Sequence, residues 1–346
     1  MRMKRSLGAL LLCACLLLTG CAGVTLNFTG ASPFRNIRDG ATISAVDDDV
    51  DYFFEANGAR VSAGVMRGKE TRFVSRGDDM NEHTRLPIGR VTEMFTGLLV
   101  SNFEVNRWLT PDKNVSDWIR TPCGVPQNDG HELTVRELAC NVAGLGDVDD
   151  LGRGYFTYGM MYDQLADAPF SAPAGEEHHE SDMGYALLSE CLRQSYNMYA
   201  NYVNLVSNQV IGKMDLQNSG FSRFDALASC DGYISTAYDL MKVAGYCGGM
   251  LENDKALTDT VQGALAEQWT DGETTLTLAF DVRDWDGHKV YFKTAQTDGG
   301  DAFLAFMPDL GVAVTCLADS PCGITSLGFA LLDDIAYPLG MATHIE

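Results

Sequence analysis

Three short stretches hold the residue types that could do chemistry together. Gly89-Arg90-Val91-Thr92-Glu93-Met94-Phe95-Thr96 sets a guanidinium and a carboxylate three residues apart, so a helix there brings them within one turn. Glu180-Ser181-Asp182 flanks a hydroxyl with two acids and follows His178-His179, and Lys293-Thr294 adds an ammonium and a second hydroxyl. Nucleophilic catalysis needs a hydroxyl or thiol with a base beside it. Ser181 and Thr92 are hydroxyls in these stretches, and neither has a lysine one turn away. No serine in the chain is followed three residues later by lysine, and neither Gly-x-Ser-x-Gly nor His-Glu-x-x-His occurs. Arginine cannot attack a carbonyl, since its guanidinium stays protonated and has no lone pair to offer. His178, His179, Glu180 and Asp182 are of metal-ligating type, but adjacency sets no ligand geometry, and a His-His pair in a polar loop is usually just solvated.

The elements that must position these residues read as strands, then helices, then strands, then a helix. Arg60 to Met66 and Thr71 to Ser75 predict a hairpin around Arg67-Gly68-Lys69. Thr92 to Val105 predicts a helix, with Phe95, Leu98, Leu99 and Phe103 on one stripe. Trp108 to Ile119 reads as a polar connection, and residues 133–270 as mostly helical with Gly-rich loops at 144–159 and 245–250. Short apolar or alternating runs at Thr274–Phe280, Val290–Thr294, Ala302–Met307 and Val312–Leu317 predict strands, and Ser326–Tyr337 a closing helix. The expected class is α+β: an antiparallel sheet flanked by helices with an inserted helical subdomain. The expected domain spans 34–346, its sheet part about 34–80 and 272–346, its helical part about 81–271.

The first stretch resembles the nucleophile-bearing segment of serine β-lactamases and penicillin-binding proteins, Gly-Ser-x-x-Lys-x-Phe-Thr, with Arg90 at the Ser position and Glu93 at the Lys position. The resemblance is strongest to the class C β-lactamase-like group, which includes esterases and D-amino-acid peptidases. Leu133 to Leu138 with Ala143-Gly144-Leu145 resembles that group's Ile-Thr-x-x-x-Leu-Leu…Ser-Gly-Leu element. Pro173-Ala174-Gly175 followed by Glu180 to Leu188 resembles Pro-Gly…Tyr-Ser-Asn-x-Gly-Tyr-x-Leu-Leu. Met214 to Phe221 looks like Leu-Gly-Met-x-x-Thr-x-Phe, and Asp231 to Leu240 like Gly-Gly-x-x-Ser-Thr-x-x-Asp-Leu. Lys293 to Gly299 resembles the (His/Lys)-Thr-Gly-x-Thr-x-Gly strand. Six elements fall in the right order. The departures fall on the chemistry: Glu180 stands for Tyr, Asp182 for Asn and Ala295 for Gly, whereas Gly184, Tyr185, Ser235, Thr236 and Asp239 match.

This resemblance implies that Arg90, Glu93, Glu180, Asp182, Lys293 and Thr294 occupy one cleft between sheet and helical subdomain, with no intact catalytic residue, no metal and no cofactor. A buried arginine needs acceptors, and Glu93, Glu180 and Asp182 would supply them. Four readings of that cleft stand: a salt-bridged plug, a binding site for a carboxylate or an amine, a metal site, and residual hydrolysis through Ser181 or Thr92. The expected function is that of a catalytically degenerate β-lactamase-like lipoprotein (a pseudoenzyme) that binds peptidoglycan fragments, a peptide or another envelope protein. The alternative is a hydrolase of the same family, of β-lactamase, esterase or D-amino-acid peptidase type, with a rearranged site. The retained Lys293-Thr294 favours this alternative, and the loss of nucleophile and base weighs against it.

Residues 1–20 read as a signal peptide: Arg2, Lys4 and Arg5, then an apolar run from Leu7 to Leu18 too short for a permanent span. Leu18-Thr19-Gly20-Cys21 resembles a bacterial lipobox, so Cys21 is the expected lipidation site and 21–33 the tether of an extracytoplasmic, membrane-anchored protein. Without the signal, 22 basic residues face 47 acidic ones, about −25, which argues against nucleic acid and against electrostatic binding to anionic lipid. Cys13 and Cys15 leave with the signal, and seven further cysteines follow Cys21. Cys140 and Cys191 sit in apolar helical patterns and read as buried small hydrophobes. Cys316 and Cys322 flank the turn Asp319-Ser320-Pro321 and could pair; no Cys-x-x-Cys spacing is present.

Overall fold

The apolar runs of the C-terminal third build the middle of a nine-stranded sheet. The computed structural model describes residues 32–120, 124–148, 154–167 and 170–345, and its described residues from Phe34 onward belong to one compact unit. The expected signal peptide, Cys21, Cys123 and all but the last two residues of the tether lie outside the described residues. The strands are β1 (Arg35–Asn36), β2 (Val61–Arg67), β3 (Glu70–Arg76), β4 (Glu267–Thr270), β5 (Thr275–Thr277), β6 (Asp281–Trp285), β7 (His288–Thr297), β8 (Gly300–Met307) and β9 (Val312–Ala318). Their order across the sheet is β1-β3-β2-β9-β8-β7-β6-β5-β4. Every pair is antiparallel except β1 with β3, which is parallel, so the sheet is mixed at one edge.

Both faces of this sheet are covered, which explains why Phe303 to Met307 is apolar without a break: a strand buried on two sides has no solvent face to leave polar. Phe303, Ala305 and Met307 join one apolar cluster with helices α1 (Gly40–Asn57) and α7 (Ile324–Ala336). Ala302, Leu304 and Phe306 face a larger cluster that holds α2 (Glu93–Val105), α4 (Asp182–Tyr196), α5 (Ala237–Cys247) and α6 (Lys255–Leu265). Between β3 and β4 the chain is mainly helical and includes the short α3 (Val135–Ala139). Among the described residues no helix is long and apolar enough to cross a membrane.

The structure adds a helix, two strands and a helical turn that the sequence pattern did not suggest. Helix α1 carries the acidic run Asp47-Asp48-Asp49 with Asp51, which hides a narrow apolar stripe of Val46, Val50 and Phe53. Its acids pair with the neighbouring strand: Arg72 reaches Asp47 at 2.5 Å, and Arg76 pairs with Asp51. Strands β4 and β6 extend the sheet, and β4 starts its C-terminal part at Glu267, ahead of the expected boundary near 272. The connection from Trp108 to Ile119 holds a helical turn at Val115–Trp118. Helix α2 is also not one-sided: from Glu93 to Phe103 every side chain is buried, as in a helix enclosed by its domain.

Two glycines fix where α2 begins. A Cβ on Gly97 would meet the Leu278 carbonyl oxygen at 1.8 Å, so only glycine lets the helix lie directly on that backbone. Gly89 has φ +49°, and a Cβ there would meet Thr297 and Ala295 of β7 at 2.6 and 3.1 Å. The turn that carries Arg90 is thereby pressed against the strand that carries Lys293.

Candidate active-site cleft

Gly89–Thr92 forms a 3-10 turn that leads into α2, and Arg90 and Glu93 leave it on the same side. The Arg90 guanidinium is nearly saturated with acids. Its Nη1 lies 3.2 Å from Glu93 Oε1, its Nε 3.3 Å from Glu180 Oε2, and its Nη2 2.8 Å from Asp182 Oδ1 and 3.4 Å from Asp147 Oδ1. Burial opposes the charge, but Asp182, Glu93 and Glu180 outweigh it, in that order, and hold the Arg90 pKa above its already high ordinary value.

Glu93 is fully buried and bridges to the second cation. Its Oε2 accepts from Lys293 Nζ and from Asn141 Nδ2, both at 3.3 Å. Lys293 is also 3.3 Å from Asp281 Oδ1. Burial opposes the ammonium, but Asp281 and Glu93 outweigh it and push the Lys293 pKa upward. Burial raises the Glu93 carboxyl, while Lys293 and Arg90 pull it back. Asp182 is raised in the same way, by burial first, against the pull of Arg90.

The surrounding backbone is fitted to this network. Asn141 sits at φ +55°, a left-handed conformation that asparagine tolerates better than most residues. Its amide oxygen accepts from the Ser181 N–H at 3.2 Å, and its carbonyl from the His179 N–H at 2.8 Å. Ser181 caps α4: its hydroxyl accepts from the Gly184 N–H and donates to the Gly146 carbonyl, each at 2.9 Å. Asp147 accepts from the Asp182 N–H at 3.1 Å. The loop after Gly144-Leu145 thus meets the start of α4 at the guanidinium.

Of the six expected cleft residues, the structure brings together Arg90, Glu93, Glu180, Asp182 and Lys293. Thr294 is a correction. Successive strand residues point to opposite faces, and with Lys293 turned toward Glu93 the Thr294 hydroxyl turns the other way, 2.5 Å from the Thr325 hydroxyl in α7. Three residues of the site were missed: Asp147, Asn141 and Asp281. Asp147 and Asn141 bracket the recognised Ala143-Gly144-Leu145 element, so their neighbourhood was visible and their role was not. Asp281 opens β6 and reaches Lys293 from the neighbouring strand; nothing local in sequence signals that.

Among the described residues neither hydroxyl beside the network is hydrogen-bonded to a base. The Ser181 hydroxyl is engaged as a cap, and Thr92 Oγ1 is buried with no hydrogen-bond partner. Burial, Asp182 and Glu93 push the Cys230 thiol well above its ordinary range. His178 is half-buried and burial lowers its pKa, while His179 is exposed. Among the described residues no three His, Cys, Asp or Glu side chains are grouped so as to hold a metal ion. The space left beside Lys293, lined also by Asn141, His178, Tyr185 and Asp281, is about 10 Å³, room for a single water. A wider groove of about 540 Å³ lies outside it, lined by His178, Glu267, Glu273, Asp281, Arg283 and Phe292.

The chain matches the family model for beta-lactamase over residues 47–325. Among solved structures it is similar to a class C beta-lactamase at 16% identity and a TM-score of 0.75, covering 86% of this chain and 97% of that one. It is similar to a class C beta-lactamase from Rhodobacter sphaeroides at 15% identity and a TM-score of 0.73, with 86% and 99% covered. A beta-lactamase/D-alanine carboxypeptidase from Pseudomonas syringae gives 14% identity, a TM-score of 0.74, and 85% and 99% covered. At these identities the structural likeness speaks to the fold alone. No curated protein matches the sequence.

Proposed function

The chain belongs to the beta-lactamase family, and we propose that it is a catalytically silent member whose former active-site cleft has become an ion-paired element for binding or scaffolding at a bacterial cell envelope. The observation that carries this reading is Arg90. It stands where the family resemblance places the nucleophilic serine, and it is tied to Glu93, Asp147, Glu180 and Asp182. A hydroxyl at that place would need a base one turn on; the residue there is an acid already shared between Arg90, Lys293 and Asn141.

The electrostatics also bear on what the cleft could receive. Five carboxylates (Glu93, Asp147, Glu180, Asp182 and Asp281) surround two cations. An anionic ligand therefore meets two cations whose charge is already matched, and would have to displace an acid to reach either. A neutral or cationic ligand group, on a peptidoglycan fragment, a peptide or an envelope protein, is the better match. The alternative, a hydrolase with a rearranged mechanism, draws on the retained Lys293; that lysine is occupied by Glu93 and Asp281, and Thr294 faces away.

The test is direct. Purified mature protein is given nitrocefin and short-chain p-nitrophenyl esters, and separately a fluorescent penicillin. Neither turnover nor covalent label is expected. Covalent labelling at any residue of the cleft overturns the reading.

A further inference from the structure

The register of the two central strands places two cysteines on one face of the sheet, away from the ion network. Cys316 of β9 pairs across to Phe303 of β8, and Ala318 pairs to Asp301. Paired residues share a face and alternate residues return to it, so Cys316 and Asp301 are diagonal neighbours beneath the start of α7. Asp301 is buried, and its Oδ2 accepts the N–H groups of Cys322, Gly323 and Ile324 at 2.9, 2.8 and 3.3 Å. Cys322 is therefore hung by its backbone N–H from the side chain diagonal to Cys316, and its thiol lies in the field of the same carboxylate. Both cysteines belong to the apolar cluster between the sheet and the pair α1 and α7. Only the residues 317–321 separate them in sequence. Among the described cysteines Cys322 alone is not buried.

We propose that Cys316 and Cys322 are an oxidisable pair that closes to a disulfide when Cys322 meets a disulfide donor, stapling the start of α7 to β9. A disulfide holds its Cβ atoms about 3.8 Å apart, so closure requires Cys322 to come to that distance from Cys316. The Cys322 thiolate attacks a sulfur of the donor disulfide, forming a mixed disulfide and expelling one donor thiolate. The Cys316 thiolate then attacks Cys322 Sγ, forming the internal disulfide and expelling the second donor thiolate. Two protons leave the protein thiols, and two electrons reduce the donor disulfide to two thiols. The partly exposed residue is the entry point and the buried one the resolving thiol. Burial and Asp301 push Cys322 up to about 12, and burial pushes Cys316 higher still, so few thiolates are present at neutral pH and closure is slow there. The consequence reaches the far side of the sheet: Thr325, in the first turn of α7, holds the Thr294 hydroxyl, and Lys293 is its chain neighbour.

The experiment uses fully reduced, folded mature protein and oxidised glutathione as donor, with timed iodoacetamide quenching and peptide mapping without reductant. The expected product is one peptide joining Cys316 to Cys322, lighter by two hydrogens than the reduced pair. It should form faster as pH rises, revert with dithiothreitol, and come with a higher melting temperature. A Cys316→Ser protein should stop at the glutathione adduct on Cys322. Persistent alkylation of both residues, a stable adduct on Cys322 in the wild-type protein, or a bridge from either cysteine to another one overturns the proposal.

Discussion

Arg90 Nη2 lies 2.8 Å from Asp182 Oδ1, a contact that joins the beginning of α2 to the beginning of α4. Helix N-termini carry partial positive charge, which favours Asp182 in the first turn of α4 and disfavours a cation at the entry to α2. The arginine is stable there because the acids that reach it come from three directions: its own helix through Glu93, the start of α4 through Glu180 and Asp182, and the loop at Asp147. Its removal is therefore a loss to two helix ends at once.

Arg90→Ser should destabilise the protein and restore no hydrolysis. Glu180 and Asp147 are well exposed and lose little when the cation goes. Glu93 is fully buried and loses one of its two cationic partners, so the expected cost is roughly 1–3 kcal/mol. Glu93 cannot stand in for the missing lysine base. Thermal melts and nitrocefin turnover on the same preparation check both halves; a melting temperature at or above wild type shows that the network is not stabilising.

Lys293 and Glu93 should prove strongly coupled. Lys293→Met leaves Glu93 and Asp281 facing an apolar side chain in the interior, and a broken buried pair typically costs about 3–5 kcal/mol. Glu93→Gln in the same protein removes the stranded charge and should recover a large part of that loss. The sign with pH is also set. Without Lys293 the Glu93 carboxyl moves further upward, so the single variant should gain stability relative to wild type as pH falls and the carboxyl takes a proton. A double-mutant cycle with no coupling would mean that the 3.3 Å contact is energetically idle.

The fold and the ion network were legible in the sequence to different depths. The hairpin, the C-terminal strands and α7 announce themselves through apolar periodicity, and the ordered motifs place Arg90, Glu93, Glu180, Asp182 and Lys293 in one region. Helix α1 was hidden because three consecutive acids interrupt its stripe, and those acids are explained only by Arg72 and Arg76 on a strand folded against it. Asp281 was hidden because its ionic partner lies on the next strand, and no local spacing signals a contact between strands. Thr294 was expected in the cleft because the Lys293–Gly299 strand resembles the family's, although a strand sends adjacent side chains to opposite faces and the Thr294 hydroxyl meets Thr325.

Cys21→Ser should release the protein from the membrane fraction. Leu18-Thr19-Gly20-Cys21 follows a basic start and an apolar run, an order that proposes the Cys21 thiol as the lipid attachment. Fractionation of cells expressing wild type and variant reads the outcome. Equal membrane retention of both counts against a lipid anchor at this residue.

Asp334 should make the protein less stable as pH rises from about 4 to about 6. Its carboxyl is pushed up to about 6, by burial first and then by Asp49 and Asp333, and His344 opposes the shift. Asp49 of α1 is raised as well, by burial, Asp48 and Asp333. Asp333 is itself tied to His344 and to the Ile345 N–H. A carboxyl with a raised folded-state pKa binds its proton more tightly when folded, so its unfavourable contribution is absent below the unfolded value and complete above the folded one. Asp334→Asn removes that contribution. The variant should match wild type near pH 4, which lies close to the unfolded pKa, and melt higher at pH 7–8, by roughly 1 kcal/mol or less because Asp334 is only half-buried. The difference between the two melting curves across pH isolates this group from the other titrating acids. A difference that is flat with pH, or one that favours wild type above about pH 6, would show that Asp334 is ionised at no cost in the folded protein.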